Sequence, residues 1–279
     1  FATANLIKAM LCSHTESICF DAHDSMARHI LSTVPLHLVE GSGWPVLWLM
    51  THIPRVVRRH RFHLDFAPRE LLGPVAADLP AEDPQASKSM SDLRRILPAL
   101  RASVSAASSS VGASGLSLAY ATMAHGPRFR PYIGRFIGRA RALGIGGVLV
   151  VFCLDAEALA ECEAAGGHCV SGTPSILNKF TLPLALLRHG FDVMWLDLDV
   201  FLFQSPTPYI AEQLTGGYEL LVSSSFAVDC VCSGLVVFRA TSRTRAWLEH
   251  LLVWMYEHPY EHDQKAFSAF LRAGERVAF

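Results

Sequence analysis

Apolar and polar positions alternate between strand and helix periods along the second half of the chain. Residues 116–123 form a short apolar run and predict a strand. Over 131–143, Tyr132, Ile133, Phe136, Ile137, Ala140 and Leu143 recur at helical spacing, and the glycines from Gly144 stop that helix. Residues 148–154 are apolar on both faces, as a buried parallel strand is. Asp155 is a fitting N-cap for a helix over 155–165. A further helix is expected over 175–189, kinked or shortened by Pro183 and stopped by Gly190. Strands follow at 192–196, 220–223 and 234–238. A helix over 241–256 then carries Trp247, Leu248, Leu251, Leu252 and Met255 on one face. This alternation predicts an α/β fold, a three-layer α/β/α sandwich around a mostly parallel central sheet. No internal repeat is visible.

The remaining chain is less patterned. Residues 1–102 form an N-terminal region of unassigned function, with seven of the thirteen histidines and a basic cluster at Arg55, Arg58, Arg59 and Arg61. No H-x-x-x-H or H-E-x-x-H spacing occurs among those histidines, and the basic cluster reads as a solvated or membrane-proximal face. Residues 103–117 (SVSAASSSVGASGLS) read as a Ser-rich linker or loop, which leaves 118–279 as the patterned domain.

Composition changes this picture little. The chain has 279 residues, is 51% hydrophobic and 18% charged, and has a formal net charge of -1, so a large core is expected and a nucleic-acid partner is not. No apolar run reaches the roughly 20 residues of a membrane helix. The chain begins at Phe1 and reads as a fragment or processed form, with any signal or anchor upstream. Seven cysteines leave at least one unpaired. Cys162 with Cys169, or Cys230 with another, have spacings that allow a bridge in an oxidising lumen; the alternative is a set of small buried hydrophobes.

The candidate chemistry lies in Trp195-Leu196-Asp197-Leu198-Asp199-Val200, where a buried strand runs out into two carboxylates one residue apart. Open α/β sheets bind ligands at the carboxyl ends of their strands. Neighbouring carboxylates repel, and a divalent cation removes the conflict. Their hard oxygens favour Mn²⁺ or Mg²⁺ shared with substrate phosphates, which makes Asp197 and Asp199 the candidate metal ligands.

From about Leu116 onward the chain resembles the nucleotide-diphospho-sugar transferase family that includes plant and algal cell-wall arabinosyl-, xylosyl- and galactosyltransferases. The matching pieces come in the family's order: Ala121-Thr122-Met123-Ala124, then 142–145 leading into 148–151, then Asn178-Lys179. The acidic turn 196–200 with Gln204-Ser205-Pro206 follows, then Cys232-Ser233-Gly234 at the head of 232–239, and finally Asp263-Gln264. The resemblance implies a Rossmann-like fold of glycosyltransferase-A type, a UDP-sugar donor, Mn²⁺ (or Mg²⁺), a glycan or glycoprotein hydroxyl as acceptor, and retention of configuration. It implies that Thr122, Met123, Ala124, Lys179, Asp197, Ser233 and Gly234 contact the donor, and that Asp263 and Gln264 lie at the reacting sugar. Residence in the Golgi or secretory lumen, as a type II membrane protein in full length, is also implied. The chain departs from the family's pattern in its C-terminal histidine: His258 and His262 do not match that position, and the domain reads as C-terminally truncated. Two other readings share the acidic turn. One is a haloacid-dehalogenase-type phosphohydrolase, with the first Asp as nucleophile. The other is a non-catalytic, transferase-like binding domain.

Overall fold

The fold is seen in a computed structural model that describes residues 84–111, 116–172, 178–224, 231–257 and 263–274. The N-terminal histidines and arginines, Cys12, Cys19, Cys230, His258 and His262 lie outside the described residues. The chain divides into two compact units. Every described residue except the last two of one helix belongs to the unit formed by 63–255 and 263–279.

The elements run α1 (Pro84–Val111), β1 (Leu118–Ala124), α2 (Gly126–Ala142), β2 (Leu149–Cys153), α3 (Ala156–Ala164), β3 (His168–Ser171) and α4 (Asn178–Arg188). They continue with β4 (Asp192–Leu196), α5 (Thr207–Thr215), β5 (Leu220–Ser224), β6 (Val231–Phe238), α6 (Ser242–Glu257) and α7 (Asp263–Gly274). The six strands form one sheet in the order β3-β2-β1-β4-β6-β5. The first four are parallel, β6 is antiparallel to β4, and β5 is antiparallel to β6. The expected α/β sandwich with a mostly parallel sheet is therefore present.

The central strands read as continuous apolar runs because both of their faces are covered: β2 and β4 are buried throughout. Asp192, the polar residue that opens β4, is buried but satisfied. Its carboxylate accepts from Ser117 N at 3.1 Å and from Ala240 N at 2.8 Å, tying the entry of β1 to the exit of β6.

The chain winds from β1 to β3 in one direction and returns across the sheet to add β4 on the other side of β1. Right-handed crossovers then place α2 and α3 on one face and α4 on the other. The reversal between β1 and β4 is a topological switch point, where the carboxyl ends of the strands open into a crevice. At that end of the sheet Asp155, which follows β2, ties two helix starts together. Its carboxylate accepts from Ala158 N at 2.7 Å, capping α3, and from Gly126 N at 2.6 Å, at the start of α2. Burial opposes the charge on Asp155, but those two amides, with His125 and Arg130 nearby, outweigh it and hold its pKa below the usual carboxylate value.

Helix α1 overturns the expected linker. Residues 103–111 continue the helix that begins at Pro84, so a boundary at 102 would cut through it. The Ser-rich composition hid an apolar stripe of Leu93, Ile96, Leu97, Leu100 and Val104, all buried. Ser108 and Ser109 tolerate the helix by donating back to Val104 O and Ser105 O, each at 2.9 Å. Helix α4 runs through Pro183. Only the bond to the Lys179 carbonyl, one turn earlier, is forfeited. Gly144 (φ 74°) and Gly190 (φ 85°) end α2 and α4 in the left-handed region, as expected. No helix among the described residues is long and apolar enough to cross a membrane.

Cys162, near the end of α3, is bonded to Cys169 in β3 with Cα atoms 6.0 Å apart. Gly167 lies between them. A Cβ there would fall 2.9 Å from Ile137 Cδ1 and 3.0 Å from Cys162 Sγ, so only glycine fits this turn. Closing this short loop is worth about 2–3 kcal/mol by loop entropy. Thermal unfolding with and without reductant, and of the Cys162→Ala/Cys169→Ala variant, will therefore show a lower midpoint in both cases; an unchanged midpoint would contradict the bridge.

Candidate active site

Four polar side chains converge at the carboxyl end of β4. Lys179 stands in the first turn of α4, which follows β3 and so begins at this edge of the sheet. Its ammonium donates to Asp263 Oδ2 at 2.9 Å, Asp197 Oδ2 at 3.1 Å and Ser233 Oγ at 3.1 Å. Ser233 in turn donates to Asp263 Oδ2 at 3.3 Å. Asp263 opens α7, and Ser233 lies in β6 alongside the end of β4. Lys179, Asp263 and Ser233 are all buried, whereas Asp197 is about one-third exposed.

Burial alone would drive Lys179 towards its neutral form. The carboxylates of Asp263 and Asp197 outweigh burial, so its pKa stands above that of a free lysine. The site therefore holds one permanent cation against two carboxylates. Lys179 cannot serve as a base near neutral pH, but its fixed ammonium can stabilise negative charge.

Both carboxylate oxygens of Asp197 have protein partners. Its Oδ1 accepts from Trp195 Nε1 at 2.9 Å, and its backbone N–H donates to Gly234 O at 2.8 Å. Gly234 is required by proximity: a Cβ there would lie 2.6 Å from Asp197 Oδ2. Two residues on, the chain turns, with Val200 N donating to Asp197 O at 3.0 Å. That turn separates the two acids. Asp199 is exposed and lines a cavity of about 470 Å³ beside α2, while Asp197 faces Lys179.

The two candidate metal ligands sit in different surroundings. Asp197 is bonded to a lysine and an indole, while Asp199 has no protein partner among the described residues. No cluster of three His, Cys, Asp or Glu side chains occurs among the described residues. The free oxygens of Asp199, with the remaining lone pairs of Asp197, still suit a hard dication that takes its other ligands from phosphates and water.

The other candidate donor contacts lie in β1 and at the head of α7. Thr122, Met123 and Ala124 form the carboxyl end of β1, in its ladder opposite Val151, Phe152 and Cys153. Strand alternation puts Thr122 on the α2 face, away from Lys179. Its buried Oγ1 has no hydrogen-bond partner among the described residues. Met123 and Gln264 are half-buried, the latter directly after Asp263. Sequence reasoning missed Trp195, although residues two apart in a strand share a face and Trp195 and Asp197 are so spaced.

Residues 148–276 match the family model of nucleotide-diphospho-sugar transferases. The match spans just under half of the chain, and this stretch is similar to that family. It begins at the head of β2 and ends beyond α7, so it contains Lys179, Asp197, Asp199, Ser233 and Asp263. The match supports a glycosyltransferase-type enzyme, and the chemistry of that family implies a nucleotide-sugar donor and a sugar acceptor. No curated protein matches the chain.

Lys179→Met removes the ammonium that faces the buried Asp263 carboxylate, which costs about 3–5 kcal/mol. Denaturant unfolding will show that loss, and adding Asp263→Asn will recover part of it. Equal stabilities for the wild type and Lys179→Met would mean the ion pair does not form.

Proposed function

We propose that the chain transfers a sugar from a UDP-sugar to a hydroxyl of a glycan or glycoprotein, with retention of configuration. The observation that carries this reading is the buried Lys179 ammonium, held by Asp197 and Asp263 at the carboxyl end of the switch-point strand, with the unpaired carboxylate of Asp199 two residues away. The crevice takes the nucleotide, and Lys179 holds positive charge where the diphosphate departs. Asp199, assisted by Asp197, would hold Mn²⁺ or Mg²⁺. Such an ion neutralises charge on a diphosphate leaving group. Ser233 and Gly234 line the donor side, where the missing side chain of Gly234 leaves room for the Asp197 carboxylate. Asp263 and Gln264 sit at the reacting sugar, and Lys179 fixes the Asp263 carboxylate so that it cannot swing away.

The family match displaces the phosphohydrolase reading and supports an enzyme over an inert binding domain. The Cys162–Cys169 bridge supports a secretory lumen such as the Golgi, since disulfides persist in oxidising compartments.

Asp199→Ala will lower Mn²⁺-dependent turnover of a UDP-sugar at least about 100-fold. Its unfolding free energy will stay within about 0.5 kcal/mol of wild type, because the side chain is exposed. Gly234→Ala will lower turnover too, by pushing the Asp197 carboxylate off Lys179. Wild-type turnover in Asp199→Ala would overturn the metal role.

A further inference from the structure

The cavity beside Asp199 lies on the α2 face of the sheet, away from the Lys179 cluster. Its volume, about 470 Å³, is within the range of small-ligand sites. The interior is apolar, with Phe136 and Leu198 among its walls. Tyr132, Arg135 and Phe201 also line it, and all three are exposed, the two rings at 47% and 62%. Phe203, 83% exposed, meets Phe201 edge-on at 5.1 Å between centroids. Aromatic rings left in water at the mouth of a concave site cost burial energy unless something covers them.

Charge narrows what that is. Helix α2 carries five arginines and no acidic residue. Arg139 and Arg141 donate to the backbone carbonyls of Leu202 and Ala165, which hold the side chains without neutralising them. Arg139 also stacks over Phe201 at 5.2 Å. Arg135 has no hydrogen bond or ion pair among the described residues, so its guanidinium is free to bind an anion from the cavity side.

We propose that this cavity is the acceptor subsite and that the acceptor is a glycan carrying carboxylates. The claim rests on the transferase reading above. Flat sugar faces stack on Tyr132 and Phe201, as amphipathic rings suit ligands with one apolar and one wet side. A uronate carboxylate pairs with Arg135 in a bidentate bond. Asp199 lines the cavity two residues after Asp197, so an acceptor end there lies next to the metal that the transferase reading assigns to Asp199. An anionic membrane would use the same arginines and rings, but here they enclose a concavity instead of standing out from a convex patch.

The test uses the whole chain. A galacturonate oligomer and a neutral galactose oligomer are titrated against it by NMR without donor, alongside calorimetric titration of UDP with Mn²⁺. The galacturonate oligomer will bind more tightly than the neutral one. Arg135→Gln will weaken galacturonate binding about tenfold, the worth of one charge-assisted bond, and leave the neutral oligomer within about twofold. Tyr132→Ala/Phe201→Ala will weaken both oligomers, with UDP affinity and donor hydrolysis unchanged. Unchanged thermal midpoints will show that the variants fold. Galacturonate binding that is absent, or indifferent to both variants, overturns the proposal. So does binding of anionic vesicles that depends on Arg135 while the oligomer does not bind. Failure of UDP with Mn²⁺ to bind the wild type would instead sink the transferase reading, because oligomer binding is measured without donor.

Discussion

A single ammonium group is buried at the edge of this sheet, and the placement of the surrounding elements follows from satisfying it. Removing a lysine from water is costly unless opposite charges accompany it. Asp197 arrives from β4, Asp263 from α7 and Ser233 from β6, so four segments distant in sequence are fixed by one cation. Because two carboxylates face one ammonium, the cluster retains a negative charge that a metal or a polarised sugar can use. The same bonds that hold the fold together at this point hold the four polar side chains in place.

The acidic turn divides its labour. Period-two alternation would put Asp197 and Asp199 on one face, but the chain leaves the strand at Asp197 and the turn sends the next carboxylate outward. Asp197 becomes a braced side chain, hydrogen-bonded by Trp195 and Lys179, and Asp199 remains available to ligands. Gly234 makes the bracing possible, since any side chain there would occupy the space of the Asp197 carboxylate.

Much of the sheet was legible because its strands are buried on both faces. The run at 192–196 stands in the structure as β4 with the same limits, and Asp155 caps α3 as its position suggested. Helix α1 was not legible, because serines mask an apolar stripe whose partner is β3, a strand too short to announce itself. The motif residues could be listed from sequence order. Their mutual contacts could not, because Lys179 lies 18, 54 and 84 residues from the three groups that bind it. The aromatic and arginine lining of the cavity was invisible for the same reason, since α2 and the segment after Asp199 meet only when folded.

Selective ¹⁵N labelling of lysine, with the Lys179 signal assigned by its loss in Lys179→Met, tests the buried cation directly. A folded pKa above the unfolded value near 10.4 means that the group is charged, and its contribution to stability fully present, at every pH below that value. That contribution fades only as pH rises through the higher folded pKa. The account predicts a slowly exchanging ammonium resonance from neutral pH to beyond about 10.4. A neutral amine near pH 8, or an ammonium exchanging as fast as those of surface lysines, would contradict it.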